Sequence, residues 1–161
     1  MKSAPSSEYS ESLSFLLSQI GARSAQMFAE RLAPFGMSPR AFGVLSNLAV
    51  ASSQTQQQLA DSLGIHRNNM VGLIDEMEEA GWVRRQRSRE DRRAFEIFLT
   101  AKGASAVAAG NELISALDDE LARGALSQDD ERTMIALLVQ LARSLALIPG
   151  VHPHLRTFPG H

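Results

Sequence analysis

The chain has no cysteine. That excludes disulfides, cysteine–zinc sites and thiol-based oxidant sensing by this chain alone. Lysine is almost as scarce, since Lys2 and Lys102 are the exceptions among 16 cationic residues that are otherwise arginine. No apolar run reaches the ~18 residues of a membrane span. The opening stretch Met1–Tyr9 lacks the apolar centre of a secretory signal. A cytoplasmic protein with no membrane association is expected. There is no Gly-x-Ser-x-Gly, no His-Glu-x-x-His and no phosphate-cradling glycine loop. His66, His152, His154 and His161 show no metal-ligand spacing with carboxylates. No enzyme, no metal site and no cofactor are expected.

What is present is ordinary in bulk and unusual locally. The 161 residues are 44% apolar and 21% charged, enough for one domain or for one domain with dimerisation helices. A net charge of −2 argues against a protein that coats nucleic acid non-specifically. Yet Arg84, Arg85, Arg87, Arg89, Arg92 and Arg93 stand against Glu90 and Asp91 alone within ten residues. Arginine's planar fork suits phosphate and guanine edges, so this bias fits DNA contact, while a GC-rich genome gives the same bias.

The stretch from Gln54 to Arg93 organises the rest. Leu59, Leu63, Ile65, Met70 and Leu73 supply apolar contacts, Ala60 is small where two helices would cross, and Gly64 sits at a turn, as a helix-turn-helix requires. A second helix, over 66–80, buries Met70, Leu73, Ile74 and Met77 as one stripe. Its N-terminal end carries Arg67, Asn68, Asn69 and Gly72 on the other side. Ala80-Gly81 ends it. Two short strands follow, over 82–87 and 94–99, with Phe95, Ile97 and Leu99 on one face and a polar tip between them. A helix-turn-helix followed by an arginine-rich hairpin is a winged helix.

Around it the spacing predicts four more helices. Residues 1–9 are expected to be loose. A helix over 10–33 places Leu13, Leu16, Leu17 and Ile20 on so wide an apolar face that a subunit interface is expected. Pro34-Phe35-Gly36 breaks it, and Ser38-Pro39 starts the next. Ala51–Gln54 is expected to be a plain connection. After the wing, Thr100 caps a helix to about Arg123, and Ser127 with Asp130 starts another to about Leu147. The predicted fold is mainly α: a winged helix-turn-helix lobe at 34–100, dimerisation helices at 10–33 and 101–147, and an irregular tail at 148–161. A two-fold dimer implies a pseudo-palindromic DNA site with half-sites ~34–36 Å apart.

On these residues the sequence resembles the MarR family, over roughly residues 10–147. The most specific matches are Ser38–Leu45, Leu59–Gly64, and Asp91-Arg92-Arg93 with Phe98-Leu99-Thr100-Ala101-Lys102-Gly103. The resemblance implies a homodimeric regulator of transcription, usually a repressor of neighbouring genes. It also implies a wing Asp–Arg pair, here Asp91 and Arg93, that positions the arginine in the minor groove. Many members release DNA when a small aromatic or phenolic effector binds between the dimerisation helices and the DNA-binding lobe. The chain departs from the family at His66, where many members carry a Ser or Asp cap, and at Val71 and Gly72, where Ser/Thr and Arg are frequent. The peroxide-sensing cysteine of some members is missing, which excludes that subfamily.

The candidate DNA contacts are Arg67, Asn68, Asn69 and Gly72 on the helix and Arg84, Arg85, Arg87, Arg89, Asp91 and Arg93 on the wing. Asparagine can bond adenine N6 and N7 together, worth ~1–3 kcal/mol of discrimination, but it can equally cap the helix. Gly72 admits either close approach to DNA or tight internal packing. Asp75, Glu76, Glu78 and Glu79 would be repelled by phosphate, which makes sense only if the N-terminal end of the helix enters the groove. Phe15, Phe35, Met37 and Phe42, with Arg23 or Arg40 to meet a carboxylate, are candidate ligand residues or else ordinary core. A ligand-independent regulator or activator of the same fold, and a helical dimer that binds a protein partner, stay open beside the repressor.

Overall fold

The computed structural model describes residues 7–51 and 53–148. In chain order these form α1 (Ser7–Ser10), α2 (Leu13–Leu32), a 3-10 turn (Ala33–Phe35), α3 (Pro39–Val50), β1 (Gln54–Thr55), α4 (Gln56–Leu63) and α5 (Arg67–Glu79). The strands β2 (Val83–Arg87) and β3 (Phe95–Leu99) make the wing, and α6 (Ala101–Ala122) and α7 (Gln128–Ser144) follow. The result is a mainly α winged helix-turn-helix with long helices at both ends.

Each helix from α2 to α7 starts where side-chain chemistry satisfies one of its first free amides. Ser38 Oγ accepts from Ala41 N at 3.1 Å and Pro39 opens α3. Thr55 and Gln58 form a reciprocal capping box on α4, with bonds of 3.2 and 2.9 Å. Ser127 and Asp130 do the same on α7. Each such cap contributes ~1 kcal/mol. Gly64 and Gly81 take φ of 64° and 77°, the left-handed conformation that turns the chain from α4 into α5 and from α5 into the wing.

The sheet order is β1-β3-β2, antiparallel throughout. β1 was expected as plain connection. It is a strand because Gln54 and Thr55 pair with Ile97 and Glu96, which anchors the wing to the start of the helix-turn-helix. Two other boundaries differ from expectation. Ser7–Ser10 is a helical turn closed by Ser12, whose N–H and Oγ both donate to the Tyr9 carbonyl; residues 1–6 lie outside the described residues. α7 stops at Ser144 and not near Leu147, because Ala146 adopts φ 51° and Leu147 N closes back on the Ala142 carbonyl. The expected tail lies outside the described residues from 149 onward.

One continuous core runs through the molecule. Leu45 of α3, Leu59 and Leu63 of α4, Met70, Ile74 and Met77 of α5 and Ile97 of β3 are fully enclosed, and Met27, Phe28 and Leu32 of α2 join Val107 and Leu117 of α6 around them. Burying one such side chain fully stabilises by ~1.5–3 kcal/mol. The ends are different. Leu13, Leu16 and Ile20 of α2 are exposed, and α7 buries no residue although Met134, Ile135, Leu137, Leu138 and Val139 lie along it. An apolar groove of about 640 Å³ runs between the two helices.

Candidate nucleic-acid interface

α5 presents its polar end to solvent. His66, at the position of the departed Ser or Asp cap, caps the helix itself: Nδ1 accepts from Asn68 N at 3.3 Å. Met70, Leu73, Ile74 and Met77 point inward, which turns Arg67, Asn68, Asn69 and Gly72 outward, all exposed. A Cβ built on Gly72 meets no atom within 4 Å, so internal packing gives no reason for a glycine there. Asn68, Asn69 and Gly72 border a cavity of about 320 Å³ whose far side is Ser38 and Arg40 at the start of α3.

The wing tip is held by its own backbone. Ser88, the one buried polar residue among the described residues, accepts from Glu90 N at 3.2 Å and Asp91 N at 3.4 Å. Ala94 N donates to the Asp91 carbonyl at 2.9 Å, and Ser88 N to the Ala94 carbonyl at 3.0 Å. Asp91 Oδ1 accepts the backbone N–H of Arg93 at 2.9 Å. The Asp–Arg pair is therefore joined through the main chain, and among the described residues the Arg93 guanidinium forms no ion pair. Arg89 and Arg93 are both exposed. A groove of about 560 Å³ between wing and helix-turn-helix brings Arg67 and Arg93 together with Asp91, Thr55, Gln56 and Gln57. The last three, at the start of α4, were absent from the sequence candidates. Their signal in the sequence was the Thr55–Gln58 capping box, which marks the start of α4 beside this groove.

The other wing arginines are sorted by the sheet. Arg84 lies on the outer face, its guanidinium 4.7 Å from the Phe98 ring centroid and Nη1 bonded to Gln86. Arg87 sits 5.6 Å from the Phe95 ring centroid and donates to the Arg92 carbonyl at 3.1 Å. Arg85 turns back to the C-terminal end of α5, where it pairs with Asp75 and Glu78. Two of the four acids expected to repel phosphate, Asp75 and Glu78, thus share a cation. The Glu78 carboxyl is held below its ordinary value of 4.5 by hydrogen bonds from the Arg85 amide and then its guanidinium.

The six candidate ligand residues do not converge. Phe15 packs on Tyr9 with ring centroids 4.6 Å apart. Phe42 is buried, edge-on to Phe28 and pressed against Gly110. Arg23 is exposed on α2, and Arg40 lines the cavity beside Asn68. Phe35 and Met37 do share a cleft, about 290 Å³, with Leu32, Trp82, Lys102 and Leu113. Among the described residues no group of three His, Cys, Asp or Glu could hold a metal, and no helix is long and apolar enough to cross a membrane.

Comparison with known proteins points one way. A sequence model of the MarR family matches residues 35–94. The transcriptional repressor CouR, solved bound to a 23-mer DNA duplex, is 31% identical and superposes with a TM-score of 0.76, over 88% of this chain and 100% of that one. A mutant of E. coli MarR in complex with operator DNA shares the fold at 24% identity and a TM-score of 0.68, over 84% and 99%. A candidate transcriptional regulatory protein for the hcr operon of Thauera aromatica is 29% identical over 115 residues, 71% of this chain and 69% of that protein.

Proposed function

The chain belongs to the MarR family of winged helix-turn-helix transcriptional regulators, and from that premise we propose that it is a homodimeric repressor of a pseudo-palindromic operator. The observation that carries the reading is the juxtaposition of Arg67, at the start of α5, with Arg93, whose guanidinium forms no ion pair among the described residues, across one groove, while Asn68 and Asn69 stand exposed on the same helical turn as Arg67. The helix tip enters the major groove, where Asn68 or Asn69 reads a base edge. Arg89 and Arg93 follow the backbone into the minor groove. A relative solved on a DNA duplex is a repressor and supports the assignment of sign.

Dimerisation follows from the apolar ends. Leu13 is 67% exposed, Ile20 58% and Leu137 59%, more apolar surface than one soluble chain leaves open on adjacent helices. A second copy covers α2 and α7 and fixes the separation of the two wings. The effector, a small aromatic or phenolic compound, enters the cleft of Leu32, Phe35, Met37, Trp82 and Leu113, which joins α6 to the DNA-binding lobe; Lys102 stands at its edge for a carboxylate.

The test is an anisotropy titration against the DNA upstream of the protein's own gene, wild type beside Arg93→Ala, at several salt concentrations. Binding should weaken in the variant, and the log–log salt slope should lose ~0.9 in magnitude for each phosphate contact removed. Equal affinity and slope in the two proteins would remove Arg93 from the interface. The same assay screens aromatic acids for release, and Trp82, the chain's one tryptophan, reports occupation of the cleft by its fluorescence.

A further inference from the structure

Six arginines in ten residues suggest one DNA-facing patch, but Arg85 has no charge left to offer a phosphate. Nη1 lies 2.6 Å from Glu78 Oε2, and Nη2 pairs with Asp75. The Arg85 backbone amide also donates to Glu78 Oε1 at 2.9 Å. Its side chain is 20% exposed, and across the ladder it stands opposite Ile97, which is fully buried. Asp75 and Glu78 are one turn apart on α5, so both present oxygens to the same fork. Two carboxylates against one guanidinium leave this cluster with net negative charge.

We propose that Arg85 is the positioning residue of the wing. It fastens β2 to the C-terminal half of the recognition helix and so sets the separation and angle between two DNA-reading tips, the first turn of α5 and the wing loop. It touches no DNA. The proposal rests on the DNA-binding reading above for its functional consequence, and on geometry alone for the brace. The base of the sheet is fixed by buried Val83 and Ile97, but beyond it β1 holds the wing at its far edge by two residues only, so the angle of the outer half depends on the Arg85 bridge. The bidentate geometry demands arginine; lysine supplies one point of attachment and holds the wing less well.

The decisive variants remove negative charge from a surface that meets DNA. On simple electrostatics Asp75→Asn and Glu78→Gln reduce repulsion of phosphate and tighten binding. The brace predicts the opposite sign: each weakens binding, by about three- to five-fold, with the salt slope unchanged. Arg85→Ala weakens it by about ten-fold, again without the loss of ~0.9 in slope that a phosphate contact shows, and Arg85→Lys recovers part of the loss. Asp75 is 59% exposed, so Asp75→Asn remains folded even where Arg85→Ala does not, as a thermal melt checks.

A second measurement needs no DNA. The chain has no native cysteine, so Glu79→Cys and Glu90→Cys take spin labels at the end of α5 and on the wing loop, diluted with unlabelled chain to isolate distances within one protomer. The label–label distance should be narrow in wild type and broadened in Asp75→Asn and Arg85→Ala. Tighter binding by Asp75→Asn, or an Arg85→Ala slope reduced by ~0.9, would overturn the proposal in a protein that binds DNA. If wild type binds none, the function proposed above fails by itself, and an unmoved label distance in the variants is what overturns the brace.

Discussion

Gly103→Ala should unfold the joint between the wing and α6, although it replaces glycine by the best helix former. Gly103 lies in the first turn of α6, three residues beyond its cap, Thr100. A Cβ there would stand 2.1 Å from the Trp82 carbonyl oxygen and 2.7 Å from Leu99 Cδ1. That carbonyl cannot yield easily. It accepts Thr100 N at 3.0 Å and lies 3.0 Å from Thr100 Oγ1, which also donates to the Gly81 carbonyl at 2.7 Å and accepts Gly103 N at 3.0 Å. Restoring an ordinary contact requires α6 to recede by more than about 1 Å. The overpacking costs ~1–3 kcal/mol and the loosened cap ~1 kcal/mol, against a helix-propensity gain of at most ~1 kcal/mol. The net is ~1–3 kcal/mol of destabilisation, or roughly 2–12 °C in Tm for a chain of this size. Gly21→Ala is the comparison, for a Cβ at Gly21 in α2 meets nothing of its own chain within 4 Å. Both belong in one circular-dichroism melt at a single protein concentration, because a dimer's Tm depends on it. A Gly103→Ala protein melting with or above wild type would refute the close approach of α6 to Trp82.

Gly72→Ala should separate stability from binding: with no neighbour within 4 Å of the new methyl, the fold gains ~0.5–1 kcal/mol while affinity for operator DNA falls. Unchanged affinity in the anisotropy titration would remove close backbone approach as the reason for this glycine. The brace also has an acid signature. The Glu78 carboxyl is held below 4.5 by the Arg85 amide and guanidinium, so its contribution to stability is complete above the unfolded value and disappears as pH falls through the folded one. The gap in urea midpoint between wild type and Glu78→Gln should therefore be steady near neutral pH and close below 4.5; a gap undiminished at about pH 3 would sink the assignment.

The starts of α3, α6 and α7 and the ends of α4 and α5 were legible because a cap and the amide it satisfies are neighbours in sequence. Ser38-Pro39, Thr100, Ser127 with Asp130, and the glycines at 64 and 81 all act within three residues of where they stand. β1 was not legible, since Gln54 and Thr55 become a strand only by meeting Ile97 and Glu96 far downstream. The split of the subunit's apolar surface into a filled core at Met27, Phe28 and Leu32 and an open face at Leu13, Leu16 and Ile20 also needed the fold, because both halves of α2 carry the same residue types. Phe42 is an instance of the same limit: composition marks it as an aromatic able to line a cleft, and only the placement of Gly110 beneath its ring shows it to be core.

The wing arginines were half legible, and the reason is parity. Phe95, Ile97 and Leu99 were assigned to one face by alternation, and the antiparallel register carries that face across the hairpin to Val83, Arg85 and Arg87. Arg85 is thus placed opposite a buried isoleucine by the same rule that assigned β3. A cation on the core-side face next to a helix must meet an acid or lose solvation without return. The facing helix, α5, carries acids one turn apart at Asp75 and Glu78. Counting charge along the chain merges these arginines into one patch; face and depth together separate them, since Arg87 shares the face of Arg85 but lies exposed at the outer end of the ladder, opposite Phe95.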